Sequence, residues 1–263
     1  MSADAPRGQL VAVGIGMQLG RHASERTRSE IAMADVVFTL VDAFALGWLR
    51  ELRSDVISLH EHYAEGKDRR VSYREMQERI LAPVRAGKRV CLVLYGHPGV
   101  FADVPHGALS TARAEGHEAR MEPGVSAAAC LYADLGIDPG KFGVQSFETT
   151  QFLVNQRVID PMALVILWQP AHCGDLGCSR FATTPERLGL LADKLGGFYE
   201  SEPEIVLYEA ARLPIEDPRM DRMPLSKLPS ARLEEHTTLV ILPAQGLTPD
   251  VSMREALADT RDP

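Results

Sequence analysis

Residues 89–101 read RVCLVLYGHPGVF. Arg89 to Tyr95 is a short, almost unbroken apolar run, which predicts a strand buried on both faces. Gly96-His97-Pro98-Gly99 stops it. Two glycines and a proline impose a fixed backbone path clear of side-chain bulk. Open α/β sheets hold ligands just past the carboxyl ends of their strands. Tyr95 to Phe101 is therefore a candidate site, set against the ordinary reading of a structural turn.

Outward from this strand the alternation repeats. Leu10 to Gly16 (LVAVGIG) predicts a buried strand running into a glycine turn. Residues 24–34 predict a short helix, Asp35 to Leu40 a strand, Phe44 to Leu52 a helix and Asp55 to Leu59 a short strand. Ser72 and Glu75 have the spacing of a capping box. Met76, Ile80, Leu81 and Val84 follow at helical intervals, and Pro83 should kink or weaken that helix. Beyond residue 101, helices over about 105–115 and from Ser126 to Gly136 flank a strand near His117 to Met121. Ala163 to Trp168, Glu204 to Tyr208 and Thr237 to Leu242 are further strands, and Thr184 to Leu195 is helical. This alternation predicts α/β layers with a mostly parallel sheet. The turn Glu122-Pro123-Gly124 suggests two α/β domains, 1–122 and 123–243, with 244–263 as a polar tail.

The 263 residues are 45% apolar and 24% charged, ordinary for a globular chain with a real core. Lys and Arg total 28 against 36 acids, a net charge of -8, which opposes general nucleic-acid binding. No apolar stretch approaches the roughly 20 residues of a membrane span. The opening MSADAPRGQL lacks the apolar core of a signal peptide. Cys91, Cys130, Cys173 and Cys178 are too few for a disulfide framework. A reducing cytoplasm is the expected setting.

Other stretches offer chemistry. Gly14, Gly16 and Gly20 miss the dinucleotide fingerprint, because Leu19 holds its sixth position and Asp35 opens the second strand. A tight strand-to-helix turn is the preferred reading. Pro123-Gly124-Val125-Ser126-Ala127 opens a helix whose first amides and hydroxyl suit a carboxylate or a ribose. His60 to Tyr73 (HEHYAEGKDRRVSY) predicts a polar loop carrying Tyr63, Lys67, Arg69, Arg70 and Tyr73. From Lys67 to Arg89 there are 8 basic and 3 acidic residues, an excess of +5. That stretch is either a solvated face or a lid aiming phenols and guanidiniums at a carbonyl or amide. His60 with His62, and His172-Cys173 with Cys178, do not form a zinc pattern, so no metal is expected. No thiol has an indicated histidine partner that would make it a nucleophile.

Together VAVGIG, YGHPGVF, PGVSA, LYADLGIDP and Gln145-Ser146-Phe147-Glu148 resemble the tetrapyrrole-methylase superfamily. With Tyr63, Arg69 and Tyr73 added, the chain resembles most the borosin peptide-backbone α-N-methyltransferases, from about Leu10 to Pro243. The resemblance implies S-adenosylmethionine in a cleft between two α/β domains. It implies cofactor contacts from Tyr95, His97, Val100, Ser126, Ala127, Gln169, Tyr208, Ala210, Thr237 and Thr238. It implies a catalytic set of Tyr63, Arg69 and Tyr73, and a homodimer.

An amide nitrogen is a poor nucleophile because its lone pair is delocalised into the carbonyl. Arg69 would stabilise charge on the carbonyl oxygen. Tyr63 or Tyr73 would orient the amide and pass its proton, with a nearby arginine favouring the phenolate. Two departures stand out: His60 replaces a lid tyrosine of some relatives, and AQGLTPDVSMREALADTRDP lacks a run of small apolar target residues. A separate precursor peptide is therefore expected, with the basic excess over 67–89 drawing in an acidic leader. The alternatives are a methyltransferase for carbon atoms of a corrin precursor and a non-catalytic relative that only binds a peptide.

Overall fold

The computed structural model describes residues 7–64, 66–177 and 182–260. The first sheet is built from β1 (Gln9–Gly14), β2 (Val36–Leu40), β3 (Ile57–Ser58), β4 (Arg89–Leu94) and β5 (Glu118–Met121). They lie in the order β3-β2-β4-β1-β5, and every pairing is parallel. Parallel strands need crossover helices. These are α1 (Glu25–Met33), α2 (Ala43–Leu52), α3 (Arg69–Arg85) and α4 (Asp103–Ala114).

The two-residue period of the strands sorts their side chains between faces. Leu10, Ala12, Val90 and Leu92 pack with Met76 and Ile80 of α3 and Ala108 of α4. Val11, Val13, Cys91 and Val93 pack with Ile31 of α1 and Leu49 of α2. The sheet is thus covered on both sides, which is why its strands read as continuous apolar runs. Beyond β1 the chain crosses to one face and beyond β4 to the other. Their carboxyl ends therefore form the switch point at which such sheets hold ligands.

The capping box over Ser72 and Glu75 is not how α3 starts. Asp68 is the cap, accepting from the Arg70 amide at 2.9 Å. Ser72 lies one turn inside, buried, with Oγ donating to the His62 carbonyl at 2.8 Å. Aspartate and serine cap equally well, so spacing alone could not rank them. The first turn of α3 therefore begins within the stretch read as a loop. Pro83 sits in the last turn, where it removes the intrahelical bond to the Arg79 carbonyl, and the helix ends two residues later.

Next come α5 (Ala127–Leu135), α6 (Pro139–Phe142), β6 (Val144–Glu148), α7 (Thr149–Val154), β7 (Leu164–Trp168), α8 (Pro185–Gly196), β8 (Glu204–Glu209), β9 (Arg219–Pro224), β10 (Thr238–Ile241) and α9 (Val251–Asp259). The second sheet has the order β6-β7-β10-β8-β9, with β6 parallel and β10 antiparallel to β7. Its core joins Leu167, Leu207 and Leu239 to Leu188, Leu191 and Leu195 of α8. The residues after Pro243 carry α9, capped by Asp250 and exposed along its length.

By contact the chain forms two compact units that interleave in sequence. The first takes residues up to Ile137 together with Asp175–Thr183 and Tyr208–Met220. The second takes Asp138–Gly174, Thr184–Leu207 and everything from Asp221. Among the described residues no helix is long and apolar enough to cross a membrane.

Candidate active site

The switch point of the first sheet is a joint between glycine turns. Gly16 and Gly96 exchange amide hydrogen bonds, N to O, at 3.2 and 2.9 Å. A Cβ on Gly14 would stand 2.1 Å from the Gly96 carbonyl oxygen, and one on Gly124 only 2.4 Å from it. The turns after β1 and β4 and the Pro123-Gly124 turn therefore touch backbone to backbone. Gly14 is a site of close approach, as a tight turn predicts, and what approaches is another turn.

Past this joint the loop is held open. Gly96 has φ 61° and Phe101 has φ 51°, a left-handed conformation uncommon for a bulky residue and often found at functional sites. His97 Nδ1 accepts from the Gly99 amide at 3.0 Å. In the neutral ring Nε2 therefore carries the proton and is a donor. Tyr95, Val100 and Phe101 stay exposed to solvent in the described chain. Ser126 caps α5, accepting from the Ala129 amide at 3.3 Å. The amides of Ala127 and Ala128, in the first turn, have no acceptor within the helix and suit a carboxylate.

The lid residues gather in the same unit. Tyr63 and Tyr73 meet edge to face, ring centroids 6.4 Å apart at 86°, and His60 lies 5.7 Å from Tyr63. Burial raises the Tyr63 hydroxyl well above an ordinary phenol. The Tyr73 hydroxyl, charge and hydrogen bond together, adds to that shift, and Arg69 works against it. Arg69 does pull toward the phenolate, as expected, but desolvation wins. Arg69 is oriented by Asp175, Nη2 to Oδ2 at 3.4 Å, with side chains 15% and 4% exposed. The cation is thereby held at a site largely closed to water.

The profile of the tetrapyrrole (corrin/porphyrin) methylases matches residues 9–212. The chain belongs to the tetrapyrrole methylase family. A Gymnopus fusipes protein named as a methyltransferase and ribosomally synthesized gymnopeptides precursor is 36% identical over 228 residues, 86% of this chain and 54% of that protein. A Coprinopsis marcescibilis protein named as a methyltransferase and type I borosin cyclic peptide precursor is 36% identical over 278 residues, spanning 100% of this chain and 70% of its own length. Within the family the chain thus belongs with the borosin methyltransferases. It spans about half the length of most of the curated relatives it matches. A uroporphyrin-III-C-methyltransferase from Thermus thermophilus shares the fold, with a TM-score of 0.63 at 20% identity, covering 90% of this chain and 93% of that one.

The residues that the borosin resemblance assigns to the cofactor divide between the units. Tyr95, His97, Val100, Ser126, Ala127, Tyr208 and Ala210 lie in the first, and Gln169, Thr237 and Thr238 in the second. Within the second they converge: Thr238 pairs with Trp168 across β10 and β7, which sets Thr237 opposite Gln169. Gln169 has φ 58°, a second non-glycine residue in the left-handed region. Tyr208 is fully buried, and its hydroxyl donates to Asp134 at 2.6 Å. That hydroxyl is committed to the protein. Thr237 Oγ1 accepts from the Glu234 amide at 2.8 Å and closes a turn.

Other expectations change. The basic excess over 67–89 is largely neutralised within the fold: Lys67 pairs with Glu75, Arg70 with Asp68, Arg85 with Glu78 and Glu115, and Arg89 with Glu30. It makes a weak lure for an acidic leader. Burial pushes the thiols of Cys91 and Cys173 up to about 12 and about 11, and that of Cys130 upward as well, against any of them being a nucleophile. Among the described residues no three His, Cys, Asp or Glu groups are placed to hold a metal ion. Cys178 lies outside the described residues. Sequence reasoning missed Asp175, which stands 106 residues from Arg69 and carries no motif.

Proposed function

We propose that the chain is an S-adenosylmethionine-dependent methyltransferase that N-methylates backbone amides of a peptide. The observation that carries this reading is the gathering of Tyr63, Tyr73 and Arg69 in one unit, in a chain whose relatives are named methyltransferase and peptide precursor. The cofactor fits the donor set of the first unit: helix amides at Ala127 and Ala128 for its carboxylate, and the His97 Nε2 donor. When bound it supplies an electrophilic methyl group on a sulfonium sulfur.

The chain's residues act on the amide. The Arg69 guanidinium, fixed by Asp175, stabilises negative charge on the substrate carbonyl oxygen. Tyr63 is kept protonated by burial and donates to Tyr73, which lowers the cost of a Tyr73 phenolate. Tyr73 Oη would accept the amide proton as the nitrogen takes up the methyl group that the cofactor would supply. We take the substrate to be a precursor peptide of the kind for which the relatives are named. We take the working form to be a cytoplasmic homodimer, as the resemblance implies.

The test is mass spectrometry of peptides encoded beside the gene, incubated with protein and cofactor. Successive additions of one methyl group on backbone nitrogens are expected. Arg69→Ala should lower kcat/KM about 10²- to 10³-fold, and Tyr73→Phe should abolish transfer. Tyr63→Phe should keep some activity but need a higher pH to reach its half-maximal rate. Equal turnover by all three variants, or no methylated peptide at all, overturns the reading. A monomer in light scattering removes the dimer.

A further inference from the structure

We infer that a pocket in the first unit, opening beside Tyr95, receives an apolar side chain of the peptide substrate and so selects which residues are presented. This rests on the peptide reading above. The pocket encloses about 320 Å³, the low end of the range for small-ligand sites and suited to one side chain. It forms where the turns after β1, β2 and β4 meet residues 212–216, all within one unit. Ile15, Met17, Leu19 and Ala45 make its apolar wall. The Met17 sulfur would be 3.3 Å from a Cβ on Gly96, so the wall rests on the glycine joint itself.

The charges in the wall have partners within the fold. Asp42 caps α2, accepting from the Ala45 amide at 2.9 Å, and faces Arg212 at 3.6 Å. Glu216 Oε2 accepts the amides of Arg212 and Leu213 at 3.1 and 3.0 Å. The Leu19 amide donates to the Arg212 carbonyl at 3.0 Å and ties the two loops together. Recognition is therefore left to apolar contact. Phe44 and Tyr95 line the pocket while 65% and 61% exposed, so an apolar guest would take part of both rings out of water. Tyr95, which lines the pocket, also lies close enough to Tyr63 to help raise its hydroxyl.

The test uses the full chain with ¹³C-methyl methionine and reads the Met17 methyl resonance, assigned with Met17→Leu. N-acetyl-leucine N-methylamide and its phenylalanine counterpart should shift it, and the aspartate counterpart should not. Phe44→Ala, at an exposed position, should weaken the leucine probe about tenfold. An unmoved Met17 signal, or an equal response to the aspartate probe, overturns the inference. So does a Met17 shift with S-adenosylhomocysteine that the leucine probe competes away, which would give the pocket to the cofactor. These readouts report binding without turnover. A chain that methylates no peptide yet shifts Met17 with leucine alone defeats the peptide reading and keeps an apolar site. A methylating chain with a silent Met17 defeats the pocket alone.

Discussion

A single methyl group tests the joint between the glycine turns. In Gly14→Ala the new Cβ meets the Gly96 carbonyl oxygen, a backbone atom that cannot rotate away. Overpacking of this kind costs about 1–3 kcal/mol. Gly47→Ala is the matched control, since Gly47 is exposed in α2 with open space around its would-be Cβ. Alanine there should stabilise by about 0.5–1 kcal/mol. Urea unfolding of both variants checks the pair, and effects of opposite sign are required. At this scale the sequence was only partly legible. Gly14 and Gly96 announced turns, but that the turns touch is a property of strand order. Tyr63, Arg69 and Tyr73 stood out as lid candidates beside Lys67 and Arg70, but only the resemblance gave those three a catalytic role, because a tyrosine on a polar segment looks like any solvated one. Asp175 gave no local sign, since its partner is brought to it only by folding.

The first turn of α3 shows why element boundaries matter to chemistry. Arg69 is its first residue and Tyr73 lies one turn on, so the cap that starts the helix also sets their directions. Asp68→Ala removes that cap and should cost about 0.5–2 kcal/mol. It should lower methyl transfer more than a comparable loss of stability elsewhere does. Asp68→Asn keeps an acceptor for the Arg70 amide and should restore most of both. Comparing stability and kcat/KM across the two variants decides the matter: full activity in a destabilised Asp68→Ala would disconnect the cap from the site. The alternation of strands and helices was readable because β1, β4 and β7 are covered on both faces and spell apolar runs. β6 and β9 were not, since their half-exposed residues (VQSFE, RMDRMP) carry no such run. Ser72 misled because its hydroxyl spends itself on His62, a partner outside its own helix.

For the whole molecule the buried ionisable groups predict a stability plateau with two distinct limbs. Glu30 has a fully covered side chain held by Arg26, Arg89 and Arg120 at 2.9, 2.7 and 2.6 Å, joining α1 to β4 and β5. Burial pushes its carboxyl up, but the hydrogen bonds from Arg89 and Arg120 outweigh burial and leave it lowered. A lowered carboxyl stabilises the fold above its unfolded pKa of about 4.3. That contribution is lost as pH falls through the folded value. Glu75, lowered by Lys67 and then His62, adds to the same limb. On the alkaline side burial raises Cys91 to about 12, and raises the Tyr63 and Tyr208 phenols well above their ordinary value. Such groups stabilise fully below their unfolded values, about 8.5 for the thiol and about 10 for the phenols. Their contribution declines as pH climbs toward the folded values. Urea midpoints should therefore be flat from about pH 7 to 8, decline gently below about pH 6.5 because burial holds the His22 imidazole below its ordinary value, fall further below about pH 4.5 and fall again above about pH 9. Between about pH 9 and 12 each raised group steepens the loss by up to about 1.4 kcal/mol per pH unit. Cys91→Val replaces the thiol with an apolar group suited to a central strand, so it should flatten the alkaline limb by one such step and leave the acid limb unchanged. An unaltered alkaline limb would overturn the thiol's share and leave that edge to the phenols alone.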